Sequence, residues 1–156
     1  MYYNNFGERR LSMLMDFYEL TMANGYFSNG MKDEIVYFDL FFRKNPDGAG
    51  FSIVAGLEQV IQYIKELRFC DEDIKYFRSK NLFKEEFLQY LKTFKFTGDI
   101  YAIPEGTPVF PNEPLITVRA KTIDAQIIET MLLLTINHQS LIATKANRVV
   151  RAAKGK

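Results

Sequence analysis

The sequence contains few of the features on which disulfide-bonded or membrane-spanning proteins depend. Cys70 is the only cysteine among 156 residues, so no internal disulfide can form. Residues 1–5 lack the basic and then apolar pattern of a secretory signal. The longest apolar stretch, 127–136, is interrupted by Glu129 and Thr130 and falls well short of the roughly 20 residues of a membrane-spanning helix. We therefore expect a soluble cytoplasmic protein with no membrane partner.

An excess of charge of either sign is also absent. The chain has 20 basic and 19 acidic residues, which gives a net charge of +1, and these residues are spread along its whole length. Proteins that bind nucleic acids or anionic membranes through long-range attraction need a stronger basic field than this. The charge balance therefore indicates no nucleic-acid partner.

Metal-binding and catalytic motifs are equally scarce. His138 is the only histidine, and Cys70 is far from it in sequence, so the chain lacks the ligands of a transition-metal centre. No glycine-rich phosphate loop with a Lys-Ser/Thr ending is present. No Ser-His-Asp or Cys-His arrangement is evident, although residues distant in sequence can still assemble one in space. The sequence predicts no metal site and identifies no catalytic residue.

The chain does contain enough apolar residues for the core of one globular domain, with 47% hydrophobic and 15% aromatic residues. Helical periodicity predicts four helices in the first two thirds of the chain, at 12–23 (ended by Gly25), 57–67, 71–79 and 84–94. Runs of β-branched and aromatic residues predict strands at 34–42, 51–55, 100–103 and 115–118. The strong turn signal at 45–48 makes the second strand the return strand of the first.

The last part of the sequence is helical again. From Thr122 through Ala153 the pattern predicts two helices broken near Asn137-His138, and Gly155 would end the second. Helices and strands in this mixed order argue for an α+β fold. We divide the chain into an α+β domain over residues 1–121 and junction helices over residues 122–156.

Five blocks across nearly the whole chain carry a resemblance to a known family. They are DFYELTMA at 16–23, FDLFFRKNP at 38–46, AGLE at 55–58, PEGT at 104–107 with FPNEPL at 110–115, and NHQSLIATKA at 137–146. Each block is weak alone, but five in order at compatible spacing form a specific match. Together they resemble nicotinate phosphoribosyltransferases. The segment 47–50 departs from the family, which commonly has an aromatic residue and more glycines there.

The resemblance implies the N-terminal α/β sandwich domain of the nicotinate/quinolinate phosphoribosyltransferase type. In that family the last helix of the domain leads into an irregular α/β barrel, which we expect to be absent from this chain. The barrel carries most of the phosphoribosyl site and the histidine that the family phosphorylates with ATP. We therefore expect the 156-residue chain alone to have no transferase activity.

The resemblance also implies the reaction of the complete enzyme. Nicotinate and phosphoribosyl pyrophosphate would give nicotinate mononucleotide and pyrophosphate in NAD salvage, with Mg²⁺ and coupled ATP hydrolysis, in a homodimer. Two alternatives stay open. One is a nicotinamide or quinolinate phosphoribosyltransferase, and the other is a non-catalytic domain for dimerisation or for closing over the substrate.

Three residues are candidate substrate contacts. The resemblance makes Tyr18 a nicotinate contact, whereas helical periodicity alone favours a place in the core. It makes Arg43 a phosphoribosyl contact from a neighbouring subunit, and a solvated basic residue at the end of a hairpin is an equal alternative. It places His138 near a substrate-binding interface of the related quinolinate enzymes, although a structural hydrogen-bonded histidine is the favoured interpretation.

Other residues have simpler interpretations. A basic stripe at helical steps is best explained as a solvated helix face: Thr144, Lys145, Arg148, Arg151 and Lys154. Three isolated carboxylates are weak Mg²⁺ candidates: Asp16, Glu19 and Glu105. Gly106 fits a turn better than a phosphate cradle. An apolar group should pack partly against the barrel or a second subunit and leave a patch exposed in the chain alone: Leu132, Leu133, Leu134, Ile136, Leu141 and Ile142.

Overall fold

Five helices and five strands make up the computed structural model, which describes residues 11–154. The helices are α1 Phe17–Ser28, α2 Leu57–Glu66, α3 Asp71–Ser79, α4 Glu85–Lys92 and α5 Thr122–Ala153. The strands are β1 Ile35–Phe41, β2 Ser52–Ile53, β3 Asp99–Ala102, β4 Pro108–Val109 and β5 Pro114–Lys121. This mixture confirms the α+β prediction. No helix within residues 11–154 is long and apolar enough to cross a membrane.

The main sheet has three antiparallel strands in the order β1-β5-β3. Phe38 lies opposite Val118, and Val118 lies opposite Ile100. Side chains alternate between the two faces of a strand, so these three share the face that packs on the core. Tyr37 and Tyr101 are on the other face, where they are 65% and 59% exposed. The sheet therefore has one face covered by helices and one face open.

The predicted return strand does not pair with β1, and this prediction is wrong. β2 pairs instead with β4, while β1 pairs along its whole length with β5. After β1 the chain forms a short 3₁₀ turn at 46–48, in which Asp47 has a positive φ of 51°. The backbone N–H of Ile53 then donates to Oγ1 of Thr144 at 2.8 Å, which docks β2 on α5. Contacts with a distant helix thus decide where this short strand lies.

Helix α1 begins and ends later than predicted. Residues 11–13 form a separate 3₁₀ turn, in which the buried Ser12 hydroxyl donates to Oδ2 of Asp73 at 2.9 Å. Gly25 does not end α1, because a glycine inside a helix costs only about 1 kcal/mol. The helix ends where Gly30 adopts a φ of +76° and the N–H of Met31 donates to the carbonyl of Tyr26. This is the hydrogen bond of a glycine-terminated helix end.

The three short helices agree with the sequence patterns. α3 has the predicted bounds, and α2 and α4 differ from prediction by one or two residues at their ends. The carboxylate of Asp73, in the first turn of α3, accepts a hydrogen bond from the N–H of Cys70 at 3.0 Å. Aromatic rings join these helices with centroids between 5.9 and 6.4 Å apart, in a cluster of Phe69, Phe77, Phe83, Phe87, Tyr90 and Phe94.

Helix α5 is one continuous helix of 32 residues, so the predicted break near Asn137-His138 is wrong. Asn and His lower helix propensity by less than 1 kcal/mol each, and buried positions continue on both sides of them, at Ile136, Ser140 and Thr144. The predicted end at Gly155 lies outside the described residues. The first half of α5 is buried in the same core as the sheet and the other helices. The division of the chain at residue 121 stays a prediction.

Candidate functional site

Tyr18 lies in the first turn of α1, where that helix meets α5. Its hydroxyl donates a hydrogen bond to Oε1 of Glu129 at 2.7 Å. This bond is the main reason why the pKa of the Tyr18 hydroxyl is raised above its ordinary value. The residue is 45% exposed, so the core position favoured by periodicity is wrong. An aromatic ring is therefore held at its hydroxyl end while much of its surface is open to a ligand.

The backbone around Tyr18 is fastened to the same turn of α5. The N–H of Asp16 donates to Oγ1 of Thr130 at 3.1 Å. The Thr130 hydroxyl in turn donates to Oε1 of Glu19 at 2.6 Å, and the Thr130 N–H donates to the same oxygen at 2.8 Å. One threonine thus holds the residues on both sides of the Phe17-Tyr18 pair.

The partner of the Tyr18 hydroxyl is itself oriented. Oε2 of Glu129 accepts a hydrogen bond from Nε2 of Gln126 at 2.8 Å, which leaves Oε1 turned to Tyr18. The neighbouring Phe17 is 49% exposed and packs edge-on against Phe83 with ring centroids 6.0 Å apart. Two exposed aromatic side chains therefore project from a firmly held helix start.

The other two candidate contacts lie elsewhere on the chain. Arg43 is exposed in the bend that follows β1, and His138 is exposed in the middle of α5. At 1.5 Å per residue, His138 is about 14 Å further along α5 than Glu129. The chain by itself does not join Tyr18 and His138 into one pocket. Their roles as substrate contacts, and that of Arg43, stay predictions.

Sequence neighbours of Arg43 and His138 do come together. Lys44 and Asn137 both line a hollow of about 520 Å³, and the rest of its lining consists of the turn at 45–49 with Phe42, Ser52, Pro111 and Leu141. An amide hydrogen of Asn45 donates to the carbonyl of Ala49 at 3.0 Å and closes the turn. Arg148 donates to the carbonyl of Pro46 at 3.2 Å from the helix side.

Two residues of the basic stripe and one Mg²⁺ candidate have structural roles that sequence patterns did not reveal. Thr144 is buried and accepts from the N–H of Ile53, so it is not on a solvated face. Arg148 is the residue that holds the 46–48 turn. Oε1 of Glu105 accepts from the N–H groups of Gly56 and Leu57, the latter at 2.7 Å, at the start of α2. Glu105 therefore caps a helix, and the segment around Gly106 is a turn, as predicted.

The described residues contain no cluster of metal-ligating side chains. Over residues 11–154 no group of three or more His, Cys, Asp or Glu side chains is arranged to hold a metal ion. Glu19 is buried against Thr130, and Glu105 is engaged by α2, so neither carboxylate is free for Mg²⁺.

The exposed apolar residues of α5 differ from the predicted set. Leu132 and Ile136 are 4% and 0% exposed within the chain itself, so the prediction is wrong for these two residues. The remaining four are 40–52% exposed, and two valines near the end of the helix extend the surface. We call this surface the α5 patch, and it consists of Leu133, Leu134, Leu141, Ile142, Val149 and Val150.

Comparisons with known proteins place these features in a family context. The model of the nicotinate phosphoribosyltransferase (NAPRTase) N-terminal domain matches residues 13–137, a range that contains Tyr18, Glu19 and Thr130. Nicotinate phosphoribosyltransferase pncB2 of Mycobacterium tuberculosis is 43% identical over 145 residues, which are 93% of this chain and 31% of that protein. The Bacillus subtilis nicotinate phosphoribosyltransferase is 41% identical over 144 residues, with coverages of 92% and 29%.

Solved structures agree with the fold. Human nicotinic acid phosphoribosyltransferase is 32% identical with a TM-score of 0.81, over 87% of this chain and 28% of that one. Nicotinate-nucleotide pyrophosphorylase from Pyrococcus furiosus is 24% identical with a TM-score of 0.72, which supports the fold alone. It covers 100% of this chain and 32% of that one. The chain thus spans less than a third of the length of each of these four proteins.

Proposed function

This chain belongs to the nicotinate phosphoribosyltransferase family, and on that premise we propose that it serves as the N-terminal domain of an enzyme of NAD salvage. The enzyme joins nicotinate to the phosphoribosyl group of phosphoribosyl pyrophosphate and releases nicotinate mononucleotide and pyrophosphate. ATP hydrolysis is coupled to this transfer. The cytoplasm is the proposed location.

The observation that carries the proposal is the Tyr18 ring. It is 45% exposed, it is tethered at its hydroxyl by Glu129, and it lies in the region that matches the family model. A flat pyridine ring is well recognised by an aromatic side chain, since offset stacking contributes about 0.5–1.5 kcal/mol beyond the buried area. Tyr18 is therefore the proposed nicotinate contact.

The chemistry of the transfer requires more than this domain contains. Departure of pyrophosphate leaves positive charge on the sugar and negative charge on the leaving group, so the enzyme must align nicotinate behind the anomeric carbon and stabilise phosphate charge. The described residues contain no cluster of three or more carboxylate, histidine or cysteine side chains that could hold a metal ion. We place the Mg²⁺ and ATP sites, and the catalytic residues, in parts of the enzyme outside this chain. Arg43 is proposed to contact the phosphoribosyl group, and His138 is proposed to lie near a subunit interface.

A homodimer is the proposed assembly. The α5 patch supplies an apolar surface that a second subunit or a further domain of the enzyme would cover. The same patch favours the second candidate function, a domain that assembles or closes the enzyme without touching the substrate. The two functions differ in what they require of Tyr18.

The test uses a chimera in which this chain replaces the matching N-terminal segment of the Bacillus subtilis enzyme. We expect the chimera to form nicotinate mononucleotide from nicotinate and phosphoribosyl pyrophosphate, and the chain alone to form none. In the chimera, Tyr18→Ala should raise the KM for nicotinate at least tenfold, and Tyr18→Phe, which keeps the ring but loses the hydrogen bond to Glu129, should raise it less. Equal activity of Tyr18→Ala and the unmodified chimera would favour the assembly function instead.

Substrate choice is tested by competition. With nicotinate, nicotinamide and quinolinate at equal concentration, the chimera is expected to convert nicotinate first. A folded chimera without a preference for nicotinate would contradict the proposed specificity, and one without any transferase activity would contradict the proposed function.

A further inference from the structure

Glu19 is a buried carboxyl group in a position where an apolar side chain would normally be more stable. The residue is 0% exposed, and burial is the main reason why the pKa of its carboxyl group is raised to about 7. Oε2 accepts no hydrogen bond from any described residue. Removing a charged or polar group from water is unfavourable unless all its hydrogen bonds are replaced. Stability alone therefore does not account for a glutamate here.

What Glu19 does supply is geometry. Its Oε1 accepts two hydrogen bonds from Thr130, and the hydroxyl of the same Thr130 accepts from the N–H of Asp16. Tyr18 lies between these two fastened points, at residues 16 and 19. Glu129, the residue just before Thr130 on α5, accepts a hydrogen bond from the Tyr18 hydroxyl. The backbone beside Tyr18 and the hydroxyl end of its side chain are therefore both held by one turn of α5.

The groups around Glu19 disfavour the charged form of its carboxyl group. Glu129 on α5 and Asp16 before α1 both raise the pKa of Glu19 through their charges, in addition to burial. On α2, the hydroxyl of Tyr63 is also buried without a hydrogen-bond partner among the described residues, and the charge of Glu19 adds to the effect of burial in raising the pKa of Tyr63. An uncharged acceptor at position 19 would keep the bonds to Thr130 and remove the repulsion.

We propose that Glu19 is a positioning residue that sets the orientation of the Tyr18 ring through Thr130. This inference rests on the proposed function, because it assigns a purpose to the orientation of the proposed nicotinate contact. Glu19 and Thr130 do not touch the substrate. They hold the helix start so that the ring is already placed when nicotinate arrives, and preorganisation of this kind improves binding without adding a contact.

The variants are matched in size. Glu19→Gln keeps an acceptor for both Thr130 bonds, Glu19→Leu removes it, and Thr130→Val removes the hydroxyl that joins residues 16 and 19. In the chimera, we expect Glu19→Leu and Thr130→Val to raise the KM for nicotinate about tenfold and to change the KM for phosphoribosyl pyrophosphate less than twofold. Glu19→Gln should restore a KM within about threefold of the unmodified protein.

A second readout does not depend on the proposed function. Fluorotyrosine placed at position 18 of the chain reports the ring environment by fluorine NMR, and a Glu129→Ala variant gives the signal of the released ring. Glu19→Leu and Thr130→Val should move the signal at least halfway to the released position, and Glu19→Gln should leave it near the original one. If both removals leave the signal unchanged in folded protein, the positioning role is wrong, whether or not the chimera is active.

The two failures can be told apart. An inactive unmodified chimera with the expected fluorine signals contradicts the proposed function alone. An active chimera in which Glu19→Leu lowers thermal stability but leaves the KM for nicotinate unchanged shows that Glu19 serves only the fold.

Discussion

Gly98 and Gly25 differ in how much room a side chain would have at each position. A Cβ on Gly98, next to the main sheet, would lie 2.4 Å from Cβ of Ala120 and 2.7 Å from the carbonyl oxygen of Arg119. Ordinary contacts between carbon atoms are about 3.5–4.0 Å. A Cβ on Gly25, inside α1, would meet nothing within 4 Å.

We predict that Gly98→Ala destabilises the chain and that Gly25→Ala stabilises it. The first substitution forces the β3 and β5 backbones apart, at a cost of about 2–3 kcal/mol. The second removes a flexible residue from a helix and should contribute about 0.5–1 kcal/mol. Urea denaturation of both variants and the unmodified chain gives the two free energies of unfolding. If Gly98→Ala leaves the free energy of unfolding unchanged, the backbone at Gly98 does not lie against residues 119–120 of β5 as described.

Individual site residues were only partly predictable from sequence. Tyr18 was identified as a candidate because the block around it resembles a family, although its periodicity suggested a core position. Glu129 and Thr130, which hold Tyr18 and Glu19, were not found, because they are 111 residues away in sequence and carry no local signal. Contacts of this kind exist only after α1 and α5 have packed together.

Among the elements, those defined by local patterns were predicted well and those defined by distant contacts were not. α3 has the predicted bounds because an acidic first turn and an apolar face lie within nine residues. β2 was assigned the wrong partner, since its two residues are fixed by β4 and by Thr144 of α5. Neighbouring residues determine whether a segment forms a helix or a strand, whereas the partner of a strand depends on contacts with distant parts of the chain.

The continuity of helix α5 can be tested directly, because the sequence predicted a break at its middle and the structure has none. We predict that His138→Pro lowers the free energy of unfolding by about 3 kcal/mol or more. Proline removes the N–H that donates to the carbonyl of residue 134 and its ring clashes with that carbonyl. His138→Ala is the matched control and should change stability by only a few tenths of a kcal/mol, since the side chain is exposed. Circular dichroism during urea denaturation measures both, and tolerance of proline would support two helices.

At the scale of the whole molecule, the core lies between the sheet and the helices, and it leaves much of the second half of α5 uncovered. Ile123, Ile127 and Ile136 face inward with 0% exposure, whereas Val149 and Val150 are 64% and 67% exposed. The residues of the α5 patch are spread along the helix from residue 133 to residue 150, with polar positions such as His138 and Lys145 between them, and at 3.6 residues per turn they wind around the helix. An apolar surface of this length on an isolated chain favours association.

We therefore predict that the chain self-associates, and that the α5 patch is responsible. In sedimentation equilibrium the average mass should rise above that of the monomer as concentration increases. The double variant Leu134→Gln with Ile142→Gln should weaken association at least tenfold, because both side chains are about half exposed and contribute little to the core. Leu82→Gln is the control, since Leu82 is 59% exposed but belongs to the segment between α3 and α4 and is not part of the α5 patch. A monomer at every concentration, or equal weakening by the control, would show that the α5 patch does not bind a second chain.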